Sequence, residues 1–205
     1  MKGESTMDKQ TAELGAKILQ NLPEINSEMM QEWIEHPYSL QEALRKALCR
    51  FKTLMTVKLG TGLKTADEFR HAFEKDGRRI SDWASDILNK ITVATKETEL
   101  ELVITSVAEL GFKKVAKYSD ICDRIKELGY DLCPAEVGPQ LRLQYKNQPN
   151  GEWLRVAMEP IEDSDGDLRV FHVKRDDDDL WLSTHYGNPD RVWYPEDVFV
   201  FAVRK

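Results

Sequence analysis

The chain has 205 residues, with 36 acidic against 29 basic side chains and a net charge of −7. With 41% apolar and 32% charged residues it carries enough material for a core, which excludes an extended disordered chain. Its longest apolar runs, such as 198–203, are far shorter than the roughly 20 residues of a membrane-spanning helix. Residues 1–9 hold no apolar stretch of the kind a secretory signal needs. The expectation is a cytoplasmic protein with no membrane partner. Cys49, Cys122 and Cys133 are odd in number and lack CxxC spacing, which argues against a disulfide framework or a structural zinc.

In chain order, the first ninety residues read as short helices. Leu14, Ile18 and Leu22 suggest one that Pro23 stops; Ile25, Met29, Trp33 and Ile34 suggest a second, ending before Pro37. Between Ser39 and Phe51, Leu40, Leu44, Ala47, Leu48 and Phe51 fall at helical spacing, and Ser39 with Glu42 completes a capping box. Thr65 with Glu68 repeats that box ahead of Phe69 and Phe73, and Gly77 is placed to close the helix. Ser81 opens a further segment through Trp83, Ile87 and Leu88.

From Thr98 the period becomes two, as in a half-buried strand. A helix follows with Ser119 as N-cap and Gly129 as its stop, then a short turn at 134–137 that Gly138 and Pro139 should end. Alternation returns at Leu141, Leu143 and Tyr145, at 154–158, at 168–175, at 180–186 and at 198–204, with turn residues between. The expected fold class is α+β: a mainly helical region over residues 1–96, then a β-rich region over 97–205 with one or two short helices, its strands forming an antiparallel meander or small barrel.

Several stretches carry a resemblance. Residues 62–70 (GLKTADEFR), 79–84 (RISDWA) and 132–143 (LCPAEVGPQLRL), with Asn150-Gly151-Glu152-Trp153, Ala157-Met158-Glu159-Pro160 and 163–168, are similar to an uncharacterised family of small bacterial proteins with no assigned function. The similarity covers roughly residues 50–205. It implies a bacterial, intracellular origin and transfers no site.

Each motif with chemical promise also has a plainer reading. Lys58 to Thr65 lacks the four residues a P-loop places between its first glycine and its Gly-Lys pair, so a strand-to-helix turn is favoured. Asp163 to Asp167 has alternating carboxylates, but its glycine is fourth and not sixth, which suits a hairpin turn better than a calcium loop. Ser119 to Leu143 has the outline of a helix-turn-helix that Gly138-Pro139 interrupts.

A hairpin turning on Asp178-Asp179 would set His172 opposite His185 and place His172, Lys174, Trp181 and Ser183 on one face. That makes His172, His185, Trp181 and Trp193 the candidate ligand-binding residues, with Trp83 and Trp153 expected in the core. The pair of histidines also raises a metal-dependent hydrolase, for which no third ligand is identifiable, so no metal and no cofactor is expected.

Charge offers another reading. Residues 39–90 carry 11 basic and 7 acidic side chains inside an otherwise acidic protein. Arg45, Lys46, Arg50, Lys52, Lys58, Lys64, Arg78 and Arg79 are therefore candidates for nucleic-acid contact. No complete catalytic motif is present. The leading expectation is a non-catalytic interaction or binding protein with an unknown protein partner, and the alternatives are nucleic-acid binding and the hydrolase.

Overall fold

The structure is a computed structural model that describes residues 26–37 and 51–204, with isolated positions between 13 and 40. By internal contacts the chain divides into Met1–Arg50 and Phe51–Lys205. In the first unit, α1 (Ser27–Glu35) occupies the second expected helix and leaves Met30 and Ile34 exposed. The helices expected at 14–22 and 39–51 lie outside the described residues apart from isolated positions and Phe51, and Arg45, Lys46 and Arg50 lie outside them altogether. Among the described residues no helix is long and apolar enough to cross a membrane.

The second unit is α+β. Its main sheet follows the order β1 (Lys52–Leu59), β3 (Thr98–Ser106), β11 (Val198–Val203), β6 (Trp153–Val156), β8 (Leu168–Asp176), β9 (Asp179–Tyr186) and β2 (Arg79–Ile80). Only the β11/β6 and β9/β2 neighbours are parallel along this path. β5 (Tyr130–Asp131) adds to β11 and β7 (Ile161–Glu162) to β8, while β4 (Ala116–Lys117) and β10 (Val192–Trp193) pair separately. The sheet is open, not a barrel, and not a simple meander. The last strand inserts between β3 and β6, where its run Val-Phe-Val-Phe-Ala-Val suits a position covered on both faces.

Residues 51–96 differ from the mainly helical expectation, because β1 and β2 belong to the same sheet as the later strands. Val57 and Leu59 are buried while Thr56 and Lys58 are exposed, a two-residue alternation helped by β-branched Thr53, Thr56 and Val57. The expected strand-to-helix turn then leads to α2 (Ala66–Lys75). Thr65 Oγ1 accepts from the Glu68 N–H, the Glu68 carboxylate accepts from the Thr65 N–H, and Phe69 and Phe73 are buried. Gly77 follows in the left-handed region at φ 64°, where a side chain would be strained. Ser81 caps α3 (Asp82–Leu88) by accepting from the Ala84 N–H.

Two expectations in the middle of the chain are corrected. Helix α4 (Tyr118–Glu127) begins before Ser119, and no side chain caps it. Its Tyr118 and Ser119 N–H groups donate to the Arg191 and Pro189 carbonyls, so a neighbouring loop satisfies the open turn. Residues 141–145, expected as a strand, are largely helix: α5 spans Val137–Gln144 and runs through Gly138-Pro139. Pro139 is the third helical residue, where the missing N–H would have had no intrahelical partner. Residues 136–142 are buried without a break, since α5 packs against β1, β8 and β9. A helix covered on every side has no amphipathic pattern to read, and this one cannot enter a DNA groove as a helix-turn-helix would require.

Candidate functional site

The face of β6, β8 and β9 opposite to α5 carries the site. The β8–β9 hairpin turns on Asp177-Asp178, with Asp177 at φ 54°, a left-handed position that aspartate tolerates. This register differs from the expected one by two residues: His172 stands opposite Ser183, and His185 opposite Val170. A shift of two preserves the faces, so His172, Lys174, Trp181 and Ser183 share one side as expected. Phe171 and Val173 point the other way, toward α5, where a Cβ added at Gly138 would lie 2.5 Å from the Phe171 ring.

Strand register then arranges two rows across the sheet. Trp153, Lys174, Trp181 and Arg79 stand opposite one another on four successive strands, β6, β8, β9 and β2. Beside them run Phe199, Arg155, His172 and Ser183, and the Ser183 hydroxyl donates to Ser81 Oγ at 3.2 Å. The first row alternates aromatic and cationic side chains. Lys174 Nζ lies 4.6 Å from the Trp153 ring centre and 5.8 Å from that of Trp181, and it pairs with Asp176 at 3.1 Å. Arg79 pairs with Asp179 at 3.5 Å.

The second feature is a stack of rings. Trp153 lies on His172 at 5.5 Å and 17°, His172 is 6.5 Å from His185, and His185 is 4.5 Å from Trp193, which meets Phe199 at 5.1 Å. Three of the four expected ligand residues thus come together, yet His172 is only 5% and Trp193 only 2% exposed, so they underlie the surface. Trp181 belongs to the open row instead. Both nitrogens of His172, Nδ1 of His185 and Nε1 of Trp193 are buried and find no hydrogen-bond partner among the described residues.

Burial, reinforced by the charges of Arg155, His185 and Lys174, pushes the His172 imidazole down to about 3, so it is neutral near pH 7. Burial lowers His185 as well, with Arg191 and Arg155 adding to it. Arg155 is anchored by Asp197 at 2.7 Å and lies over the Trp193 ring at 5.4 Å. Burial lowers its pKa and the Asp197 carboxylate opposes that shift.

Trp153 was expected in the core but is 41% exposed, on the short strand β6, with His172 stacked on its ring and Lys174 Nζ over it. Trp83, also expected in the core, is 36% exposed and bears the Arg169 guanidinium at 4.8 Å. Trp153, Arg155 and Asp197 were not among the candidate residues. The alternation of Trp153 and Arg155 was visible in the sequence, whereas the placement of β6 beside β8 depends on tertiary pairing.

The remaining candidates are dispersed. Lys52 and Lys58 lie on β1, at the opposite end of the strand order from Arg79. Lys58 pairs with Glu97 at 3.1 Å and Glu99 at 3.9 Å, Lys64 precedes the α2 cap, and Arg78 is half-buried. The Gly60 N–H, which an anion would have needed, donates to the buried Glu136 carboxylate at 2.8 Å. In the 163–167 turn, one Asp163 oxygen accepts from the Asp165 and Asp167 N–H groups and the other from Arg169, which leaves that carboxylate committed to the turn. Among the described residues no group of three or more His, Cys, Asp or Glu side chains is arranged to hold a metal. No protein-family model matches the chain, and comparison with curated proteins and with solved structures finds no match.

Proposed function

We propose that this chain is a non-catalytic binding protein of the bacterial cytoplasm and that its ligand surface is the β6–β8–β9–β2 face. The observation that carries this reading is the row Trp153, Lys174, Trp181 and Arg79, in register over four strands with Trp153 41% exposed. Large aromatic side chains are mostly covered in folded domains, and one left open beside positioned cations favours recognition. The non-catalytic part is supported, among the described residues, by the chemistry of the two cysteines and of His172. Burial pushes the Cys122 thiol up to about 11, raises Cys133 further, and leaves His172 a very weak base.

The test is affinity capture from a bacterial lysate with the full chain and with a Trp153→Ala/Trp181→Ala double variant, recovering both protein and nucleic acid. The expected result is material bound by the wild type and lost from the folded variant. Equal recovery by both chains would remove this face from the function.

A further inference from the structure

We infer that the ligand of this face is a single-stranded nucleic acid lying across the row Trp153, Lys174, Trp181 and Arg79. This rests on the reading that the face is a binding surface, and it names the ligand class. A single strand offers planar bases interleaved with backbone anions, and the row offers ring, cation, ring, cation in that order. Stacking on indoles tolerates any base, because every base has a π-face.

The spacing selects an unstacked strand. Trp153 and Trp181 stand on either side of β8, so their backbones are two inter-strand spacings, about 10 Å, apart. That exceeds the roughly 3.4 Å step of stacked bases, and only bases freed from their neighbours can reach both rings. A duplex hides its base faces and could use the two cations alone.

In both ion pairs of the row the carboxylate is open to exchange. Asp176 and Asp179, the carboxylates paired with Lys174 and Arg79, have side chains 59% and 46% exposed; Arg79 is itself 61% exposed, whereas Lys174, beside the two indoles, is 18% exposed. Ion pairs so open to water are weak, and a phosphate can take the place of either carboxylate. The Lys174 ammonium, now held between the two indoles, would move from ring to phosphate as a base arrives. Arg155 is different: its pair with Asp197 has both side chains only 14% exposed, so it holds the floor of the site and does not join the exchange. An acidic peptide would use the cations without needing the indoles, and an oligosaccharide would use the indoles without a steep response to salt.

The experiment is fluorescence anisotropy of labelled dT12 and rU12 titrated with the full chain between 50 and 300 mM NaCl. Two phosphate contacts at about −0.7 each predict a slope of log affinity against log salt near −1.4, reduced by about 0.7 in Arg79→Ala. Trp181→Ala should weaken binding about five- to hundredfold, with Trp181→Phe restoring most of it. A duplex of equal length should bind more weakly than either single strand. Circular dichroism confirms that each variant is folded. Trp181 is the primary site of substitution because Trp153 also stacks on His172. Absence of binding at 50 mM NaCl, or wild-type affinity in Trp181→Ala, overturns the inference. If the oligonucleotides fail while lysate capture still depends on Trp153 and Trp181, the face binds another class of ligand and only the nucleic-acid assignment falls.

Discussion

His172 and His185 lie diagonally on adjacent strands, 6.5 Å between ring centres, because Ser183 and not His185 occupies the position opposite His172. Both are surrounded by cations, Arg155 and Lys174 for one and Arg155 and Arg191 for the other, and their pKa values fall on burial. Unfolding returns each imidazole to its ordinary value near 6.5, so below that pH the unfolded chain binds more protons than the folded one. Stability from these groups is present above about pH 6.5 and declines as pH falls below it, for His172 toward about 3. Each histidine steepens the decline by up to about 1.4 kcal/mol per pH unit. Urea unfolding at pH 6.5 and 4.5 should therefore show wild type losing about 2 kcal/mol more than His172→Phe over that interval. Parallel losses in the two proteins would contradict the neutral buried state.

A second prediction concerns Glu136, which is 1% exposed and joins three parts of the chain. One carboxylate oxygen accepts from the Gly60 N–H at 2.8 Å and the Gln140 amide at 3.0 Å, and the other from the Ala94 N–H at 2.7 Å. Glu136→Ala strands these donors and should cost about 3 kcal/mol. Gly60→Ala should be similarly harmful: its φ is 65° and the new Cβ would lie 2.3 Å from the Lys96 carbonyl oxygen. At roughly 2–4 °C per kcal/mol, both appear in thermal unfolding as drops of several degrees. A loss under 1 °C in Glu136→Ala would show that these bonds contribute nothing net.

The edge strand β1 supplies a third. Gln144, on α5, accepts from the Lys58 N–H at 2.9 Å and donates to the Lys58 carbonyl at 2.8 Å, so its carboxamide makes the two bonds a further strand would make there. Such plugs protect open edges from pairing with other chains. Gln144→Ala should lose about 1–2 kcal/mol and shift the protein toward dimers or larger species in light scattering at high concentration. Stable monomers would show that the plug does not guard the edge.

What could be read from the sequence divides along physical lines. The Thr65/Glu68 cap and the Ser81 cap were legible because capping is a contact between residues three apart. The composition of the His172 face was legible because period two fixes it, but the register was not, since four consecutive aspartates allow the turn at more than one place. Helix α5 was read as a strand because burial on every side removes the helical stripe. Trp153 completes the aromatic row only through the β6/β8 pairing, a contact between residues 21 apart in the chain whose local sequence carries no sign of it.

The close approach of α5 to the sheet yields the last prediction. Gly138 sits in the first turn of α5, where an added Cβ would meet the Phe171 ring at 2.5 Å and the Phe171 Cβ at 2.7 Å. The helix cannot retreat freely, because Leu141 and Arg142 on its next turn are fully buried and Arg142 donates to the Gln148 side chain at 2.5 Å and to the Tyr145 carbonyl. Gly138→Ala should thus cost about 1–3 kcal/mol by overpacking, although alanine is the better helix former. Phe171→Val removes much of the colliding ring and opens a cavity that costs on its own. In the double variant the new methyl enters that space, so the combined loss should be at least 1 kcal/mol smaller than the sum of the two single losses. A double-mutant cycle by urea unfolding measures the coupling. Additive losses would mean that α5 and β8 accommodate the methyl separately, and that glycine is not what brings the helix onto the back of the histidine-bearing strand.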